Sequence, residues 1–283
     1  MALGVKGVGL AVLLAATPAS LAYLGAERFG LWMTAAAAAG FLGLANLGLD
    51  KGLLNGLAAA HGRAERTRTR HLVSTGFALV AALALALLVL FALAYPLLPW
   101  PALLGSAGTA AGAEAGPVMA VLVVVSLLGL LAGLVDTVQT AQQESYLNGA
   151  WEALGKLASL AALLAAIHAG AGLPWLVLAF AGTPLLASAA NGWVLFRRRR
   201  PELRPTRSAV DGTEARRLVR TGGYFFLIQL ALTVAYYADN MACLKWFGSY
   251  PTPDAFTTAP LGFCVPQQIA AAHVHPSQMG SLG

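Results

Sequence analysis

The stretch STGFALVAALALALLVLFALAYP (74–96) carries no charged residue. As a helix it is about 35 Å long, enough to cross a hydrocarbon layer about 30 Å thick. Six further runs have similar character, at about 5–24, 31–50, 117–141, 153–169, 174–196 and 222–243. The whole chain is 58% hydrophobic and 11% charged, with a mean hydropathy of +0.70. Soluble domains carry about 25% charged residues. The deficit fixes the class as an all-α, polytopic membrane helix bundle. Pro96, Pro99, Pro101, Pro117 and Pro174 fall at span edges, where proline disrupts a helix least. A weaker eighth candidate within 255–272 is interrupted by Pro260 and Pro266. The N-terminus, MALGVKGVGLAVLLAATPASLA, has features of a signal peptide. The alternation of the later loops needs it as a retained first span, kinked at Pro18.

Charge sorts the loops. HGRAERTRTRH (61–71) holds four arginines, and RRRRPELRPTRSAVDGTEARRLVR (197–220) holds nine, together 13 of the 18 Lys and Arg residues. The linkers on the opposite side contain only Arg28. By the positive-inside rule both arginine loops and the N-terminus are expected in the cytoplasm, and 97–116 outside. The same rule accounts for the pI near 9.6 without a nucleic-acid partner. Two cysteines, Cys243 and Cys264, are too few for a disulfide framework. The five histidines are dispersed and no phosphate-binding glycine loop is present, so the sequence points to no metal, cofactor or catalytic group.

The polar residues within the spans are the functional candidates. In NLGLDKGLLNG (46–56), Asp50 and Lys51 sit side by side at the expected end of the second span, near its cytoplasmic mouth. Asp136 falls near the cytoplasmic end of the fourth span, and Asp239 near the outer end of the seventh. At about 100° per residue, Gln229, Thr233, Tyr236 and Asn240 share one face of the seventh span within about 60°. Ser126, Gly133, Thr137, Thr140 and Glu144 cluster similarly on the fourth. Such stripes face either other helices or a wet cavity, because lipid offers them no hydrogen bonds. LNG (54–56), LNG (147–149) and NG (191–192) recur near the cytoplasmic side. They read as helix-end caps or as the trace of repeated hairpins.

Five stretches, in their order and spacing, carry a resemblance: LGAERFGLW (24–32), ANLGLDKGLLNGLAAAHGRAERTRTRHLVSTGF (45–77), QQESYLNGAWEALGKL (142–157), AGLPWLVLAFAGTPLLASAANGWVLFRRRRPELRP (171–205) and RRLVRTGGYFFLIQLALTVAYYADNMACLKWFG (216–248). FCVPQQIAAA (263–272) is a weaker echo. The chain resembles bacterial polysaccharide-biosynthesis flippases of the O-antigen type, in the multidrug/oligosaccharidyl-lipid/polysaccharide exporter superfamily. The resemblance implies movement of undecaprenyl-diphosphate-linked oligosaccharide from the cytoplasmic to the periplasmic leaflet of the inner membrane, with no enzymatic step. It implies two lobes around a lumen. Arg28, Lys51 and Lys245 are then the candidate cations for the diphosphate, and Gln229, Thr233, Tyr236 and Asn240 the sugar contacts. Asp239–Asn240 matches a polar pair of the family's seventh span, and Asp50, Thr137 and Thr140 complete the lumen candidates. Lipid-linked oligosaccharide, membrane lipids and other polysaccharide-assembly proteins are the expected partners. The expected organisation is a six-span lobe (1–196), a basic loop (197–221), a seventh span opening a second lobe (222–248) and an irregular tail (249–283). That tail reads as the end of a truncated or frameshifted product. Rival readings are a drug exporter of the same superfamily, which calls for an acidic lumen, and a membrane enzyme of polysaccharide assembly, which calls for ionisable groups gathered at one depth.

The orientation is testable with single cysteines at Ser106 and Ser208 after replacement of Cys243 and Cys264. An impermeant thiol reagent applied to intact cells is expected to label position 106 and spare 208. The reverse pattern inverts the topology.

Overall fold

The computed structural model describes the backbone of residues 2–46, 48–106, 108–109 and 111–246, and the side chains of those up to Ala231 other than 2–3 and 44–45. The tail 249–283 and the eighth candidate span lie outside the described residues. The long helices are α1 (Ala2–Gly40), α2 (Leu49–Gly62), α3 (Arg66–Ala94), α5 (Ala115–Ala141), α6 (Ser145–His168), α7 (Leu173–Val194) and α8 (Gly212–Trp246), with a single turn, α4 (Trp100–Leu103), between α3 and α5. The chain divides into two compact units, Met1–Phe226 and Leu227–Gly283. Five stretches are long and apolar enough to cross a membrane, the first being Gly4–Gly43.

That first stretch makes two passes. Its 40 residues span about 60 Å as a straight helix, twice the hydrocarbon thickness. The backbone leaves the helical region at Gly25, with φ 75° and ψ 168°. Neighbours on either side establish a reversal. Gly9 lies against Lys156 and Gly149 against Val5, while the Tyr23 hydroxyl donates to the Ala171 carbonyl at 3.1 Å. Residues 2–24 therefore advance alongside α6. Beyond Gly25, the Glu27 carboxylate accepts from the Ala111 amide at 3.1 Å, and Arg28 reaches Glu114 at 3.4 Å. Leu42 packs near Val123 and Leu127, and Leu53 and Leu57 join a cluster with Leu134 and Val138. Residues 26–62 thus run back alongside α5. A single glycine performs the reversal that the sequence reading assigns to a six-residue linker, and Pro18 lies inside the helix before it. Among the described residues of the first unit the chain makes six alternating passes before α8 begins.

The second pass is broken. After α1 the chain tightens into a 3₁₀ turn at Phe41–Asn46, passes through Gly48 in the left-handed region (φ 69°) and resumes as α2. The span expected to end at Asp50 in fact restarts there and continues to Gly62. Gly48 and Gly52 meet the start of α8. A Cβ on Gly48 would lie 2.5 Å from the Gly222 carbonyl oxygen, and one on Gly52 would lie 3.2 Å from the Gly222 nitrogen.

The Asn-Gly pairs are not caps. Leu54–Gly56 lies inside α2, Leu147–Gly149 near the start of α6, and Asn191–Gly192 inside α7. Their glycines mark helix crossings: Gly56 meets Leu72, Gly149 meets Val5, and Gly192 meets Val135. Small residues let backbones approach, which is what drives association when lipid is as apolar as leucine. Asn191 has a further role. Its side chain exchanges two hydrogen bonds with Gln139 of α5, at 2.7 and 3.0 Å, in a buried amide pair.

The arginine-rich segment after α7 is folded onto α3. The Thr206 amide donates to Ser74 Oγ at 3.2 Å and the Asp211 amide to Thr75 Oγ1 at 3.0 Å. His71 Nδ1 lies 2.9 Å from the Ala209 carbonyl, and Arg68 pairs with Glu214 at 2.9 Å. Ser208 stays exposed; Ser106 is buried, so the exposed Ala102 is the better reporter for the other end.

Two stability predictions follow from these contacts. Asn191→Leu leaves the Gln139 amide buried without its partner and should destabilise the detergent-purified protein by about 1–3 kcal/mol. The double variant Gln139→Leu/Asn191→Leu should recover most of that loss in thermal unfolding; additive losses would deny the pair its coupling. Gly48→Ala should cost at least about 1–2 kcal/mol from its left-handed backbone alone, with the approach to Gly222 adding to it. Gly62→Ala, which meets nothing within 4 Å, is expected to leave the midpoint unchanged.

Candidate functional site

A helix broken inside a bilayer exposes backbone groups that hydrocarbon cannot satisfy. Such breaks persist where they are enclosed by protein or line a wet cavity. The break at 41–48 is enclosed on one side only. Gly48 and Leu49 are buried, whereas Gly40, Phe41 and Gly43 are exposed. At its end stand Asn46, Asp50 and Lys51. Asn46 Oδ1 is enclosed and has no hydrogen-bond partner among the described residues. Asp50, in the first turn of α2, lies where a helix favours negative charge. Its carboxylate is 3.5 Å from the Lys51 ammonium, whose side chain is 58% exposed.

The depth of this group differs from expectation. Asp50 is twelve residues before the end of α2, about 18 Å of helix. Leu53 packs against Gly76, well inside α3. The ion pair therefore sits at the mouth of the break, part-way down the second pass, with about three helical turns between it and the arginine-rich end.

The other expected site residues scatter. Arg28 is held by Glu114 at the reversal end of the bundle, so it and Lys51 do not converge on one ligand. On α5, Thr137 donates to its own helix at the Gly133 carbonyl, 2.9 Å away. Thr140 is exposed. Glu144, from the same stripe, accepts from Arg200 at 3.1 Å and so anchors the basic segment. Gln229 is exposed on α8. The side chains of Thr233, Tyr236, Asp239, Asn240 and Lys245 lie outside the described residues, although the α8 backbone is helical through Trp246.

Two groupings escaped the sequence reading. Gln139 with Asn191 is one: Gln139 was passed over beside the more regular Thr137–Thr140 stripe. The other sets Asp136 beside Asn148 and Glu152, with Lys156 bonded to Glu152 at 2.6 Å. This gathers two carboxylates, an amide and an ammonium between α5 and α6. Its signal was present as Asn148, Glu152 and Lys156 at i, i+4 and i+8 on one helix face. At the arginine-rich end a cavity of about 250 Å³ is lined by His61, Glu65, Arg66, Thr69 and Arg200, among others. It belongs to the contacts that seat the basic segment.

A solved structure shares this fold: the inward-facing conformation of a multidrug resistance MATE family transporter of the MOP superfamily, with a TM-score of 0.51 and 15% identity. The match covers 82% of this chain and 51% of the other. No family model and no curated protein matches the sequence. At this identity the likeness establishes the fold: a polytopic helical membrane protein that spans about half the length of the transporter chain it resembles.

Proposed function

We propose that the chain is one lobe, with the opening helix of a second, of an alternating-access exporter for an anionic, lipid-linked oligosaccharide. The observation that carries this reading is the broken second pass. In alternating-access carriers, half-helix N-termini address anionic substrate groups near the interface of two repeats. Here the N-terminus of α2 lies beside an exposed ammonium and an enclosed amide oxygen that has no partner among the described residues. A diphosphate takes the cation and the N–H donors. The sugars take amides and hydroxyls, for which Gln229, Thr233, Tyr236 and Asn240 of α8 are the proposed contacts. The substrate is taken to move from the cytoplasmic to the periplasmic leaflet of a bacterial inner membrane, with the arginine-rich end in the cytoplasm. The work is transport, with binding groups in place of an acid–base pair.

A second reading has its own observation. Asp136, beside Asn148 and the exposed Glu152, suits a cation better than a diphosphate. That favours a small-cation exporter of the same fold.

The experiment is complementation of a strain lacking its oligosaccharide flippase, using the chain as it stands and a version joined to a second lobe. The two-lobe version should restore surface polysaccharide and the single chain should not. Lys51→Gln in the two-lobe version should reduce delivery by about tenfold or more, the effect of losing one charge-assisted hydrogen bond. Lys6→Gln, an exposed N-terminal control, should leave delivery within about twofold. Absence of restoration together with Asp136-dependent efflux of a cationic dye supports the second reading. Restoration by the single chain alone overturns the need for a second lobe.

A further inference from the structure

The four consecutive arginines after α7 have different fates. Arg200 is used internally: it pairs with Glu144 at 3.1 Å and reaches Glu202 at 3.9 Å. Arg197, Arg198 and Arg199 are exposed, and among the described residues no carboxylate pairs with them. They stand on a π-helical turn, Leu195–Arg199, that continues α7 directly. Arg198 lies over the Trp193 ring, 5.4 Å from its centroid, within the range of a cation–π contact.

The face beneath them is built for lipid. Trp175, Leu186 and Trp193 lie within about 20° of one another around α7 at about 100° per residue. They are 67%, 70% and 52% exposed. The two tryptophans are about 27 Å apart along the helix, close to the thickness of the hydrocarbon layer. Tryptophans at that separation mark the two headgroup levels, where the indole places an apolar ring in lipid and a polar edge in water. The free arginines begin four residues past Trp193, at the height of lipid phosphates.

We propose that the end of α7 is a binding site for the phosphate headgroup of an anionic membrane lipid. The three guanidiniums supply charge and N–H donors to the phosphate oxygens. Trp193 fixes the height of the site and holds Arg198 by its ring face, which leaves that guanidinium's edge donors free. Arginine suits this role better than lysine, because its planar fork stacks and donates at once. A soluble anion is a poorer fit, since the site adjoins a lipid-exposed face that an acyl chain covers. The proposal is independent of the transported substrate and is tested without it.

The full chain is purified in a neutral detergent and titrated with phosphatidylglycerol or phosphatidylcholine, with bound lipid counted by native mass spectrometry. Phosphatidylglycerol should be retained and phosphatidylcholine stripped. R197Q/R198Q/R199Q should weaken phosphatidylglycerol retention about tenfold or more, in line with the contribution of basic residues near an anionic surface. R216Q/R217Q/R220Q removes the same charge from exposed positions on α8 and should change retention less than about threefold. Thermal unfolding without added lipid checks that each variant is folded. Should the α7 triple variant fail to fold, R198Q alone serves and should weaken retention about threefold. Equal loss in both triple variants overturns the site in favour of general surface charge. Displacement of the lipid by millimolar inorganic phosphate overturns the lipid in favour of a soluble anion. Unchanged retention in the α7 variant overturns both.

Discussion

Hydrocarbon offers no partner to a backbone N–H or C=O, and each unsatisfied group there costs several kcal/mol. The rest of this structure answers to that constraint. It makes the chain all-helical, and it makes the interruption at 41–48 the most demanding point of the fold. The interruption stands because the chain tightens into i→i+3 bonds at Phe41–Asn46 before Gly48 changes direction. The Gly48 carbonyl then accepts from Lys51 and Gly52 at 3.1 and 3.0 Å, restarting the helical ladder within one turn. The neighbouring backbone of α8 seals one side. Asn46 Oδ1, at the end of the 3₁₀ turn, stays enclosed without a partner among the described residues.

Side-chain polarity obeys the same rule with more freedom. Where two helices must meet, the chain uses glycine against whatever faces it, or an amide pair whose members satisfy each other, as Gln139 and Asn191 do. Apart from Asp50–Lys51 at the break and the Asp136, Glu152 and Lys156 group between α5 and α6, charge goes to the ends. Arg28–Glu114 closes the end at the Gly25 reversal. Arg68–Glu214 and Arg200–Glu144 close the other. These last two pairs tie separate segments together: α3 to α8, and the end of α7 to the end of α5. The basic segment reads in sequence as a solvated loop. In the fold it is a strap whose backbone amides are taken up by Ser74 and Thr75.

The class of fold was legible because hydropathy is a property of whole runs, and runs of twenty apolar residues have one physical meaning. The span edges at Pro96, Pro117 and Pro174 were legible because proline forbids the alternatives. What escaped was local backbone geometry. The reversal at Gly25 needs a single residue, and GAERFG looks like an ordinary short linker. The break before Asp50 is invisible to hydropathy, since NLGLDKGLLNG is apolar on both sides of it; only the left-handed Gly48 separates two helices from one. Three Asn-Gly pairs read locally as caps or as the trace of repeated hairpins. Their partners Leu72, Val5 and Val135 come from other helices, which no local pattern shows. Of the site, Asp50–Lys51 was found from composition but placed at the wrong end of its helix, for want of that break.

The way α8 attaches to the first unit follows from these same residues. Its first turn is pinned by Glu214 to Arg68, and Leu218 is buried in the cluster that holds Leu53 and Leu57. One turn further on, Gly222 meets Gly48 and Gly52 with backbone against backbone. A crossing made of leucines is interdigitated, so one helix moves over the other only by unlocking side chains in steps. A crossing made of glycines has close contact and little interlocking. The start of α8 is held both by the Arg68–Glu214 pair and by this close crossing, where a Cβ on Gly48 would also lie 2.9 Å from the Phe225 Cβ. The break in the second pass lies under that crossing. The buried Gly48 and the candidate groups Asn46, Asp50 and Lys51 are thus built from one short stretch of sequence, packed where its glycines meet the start of α8.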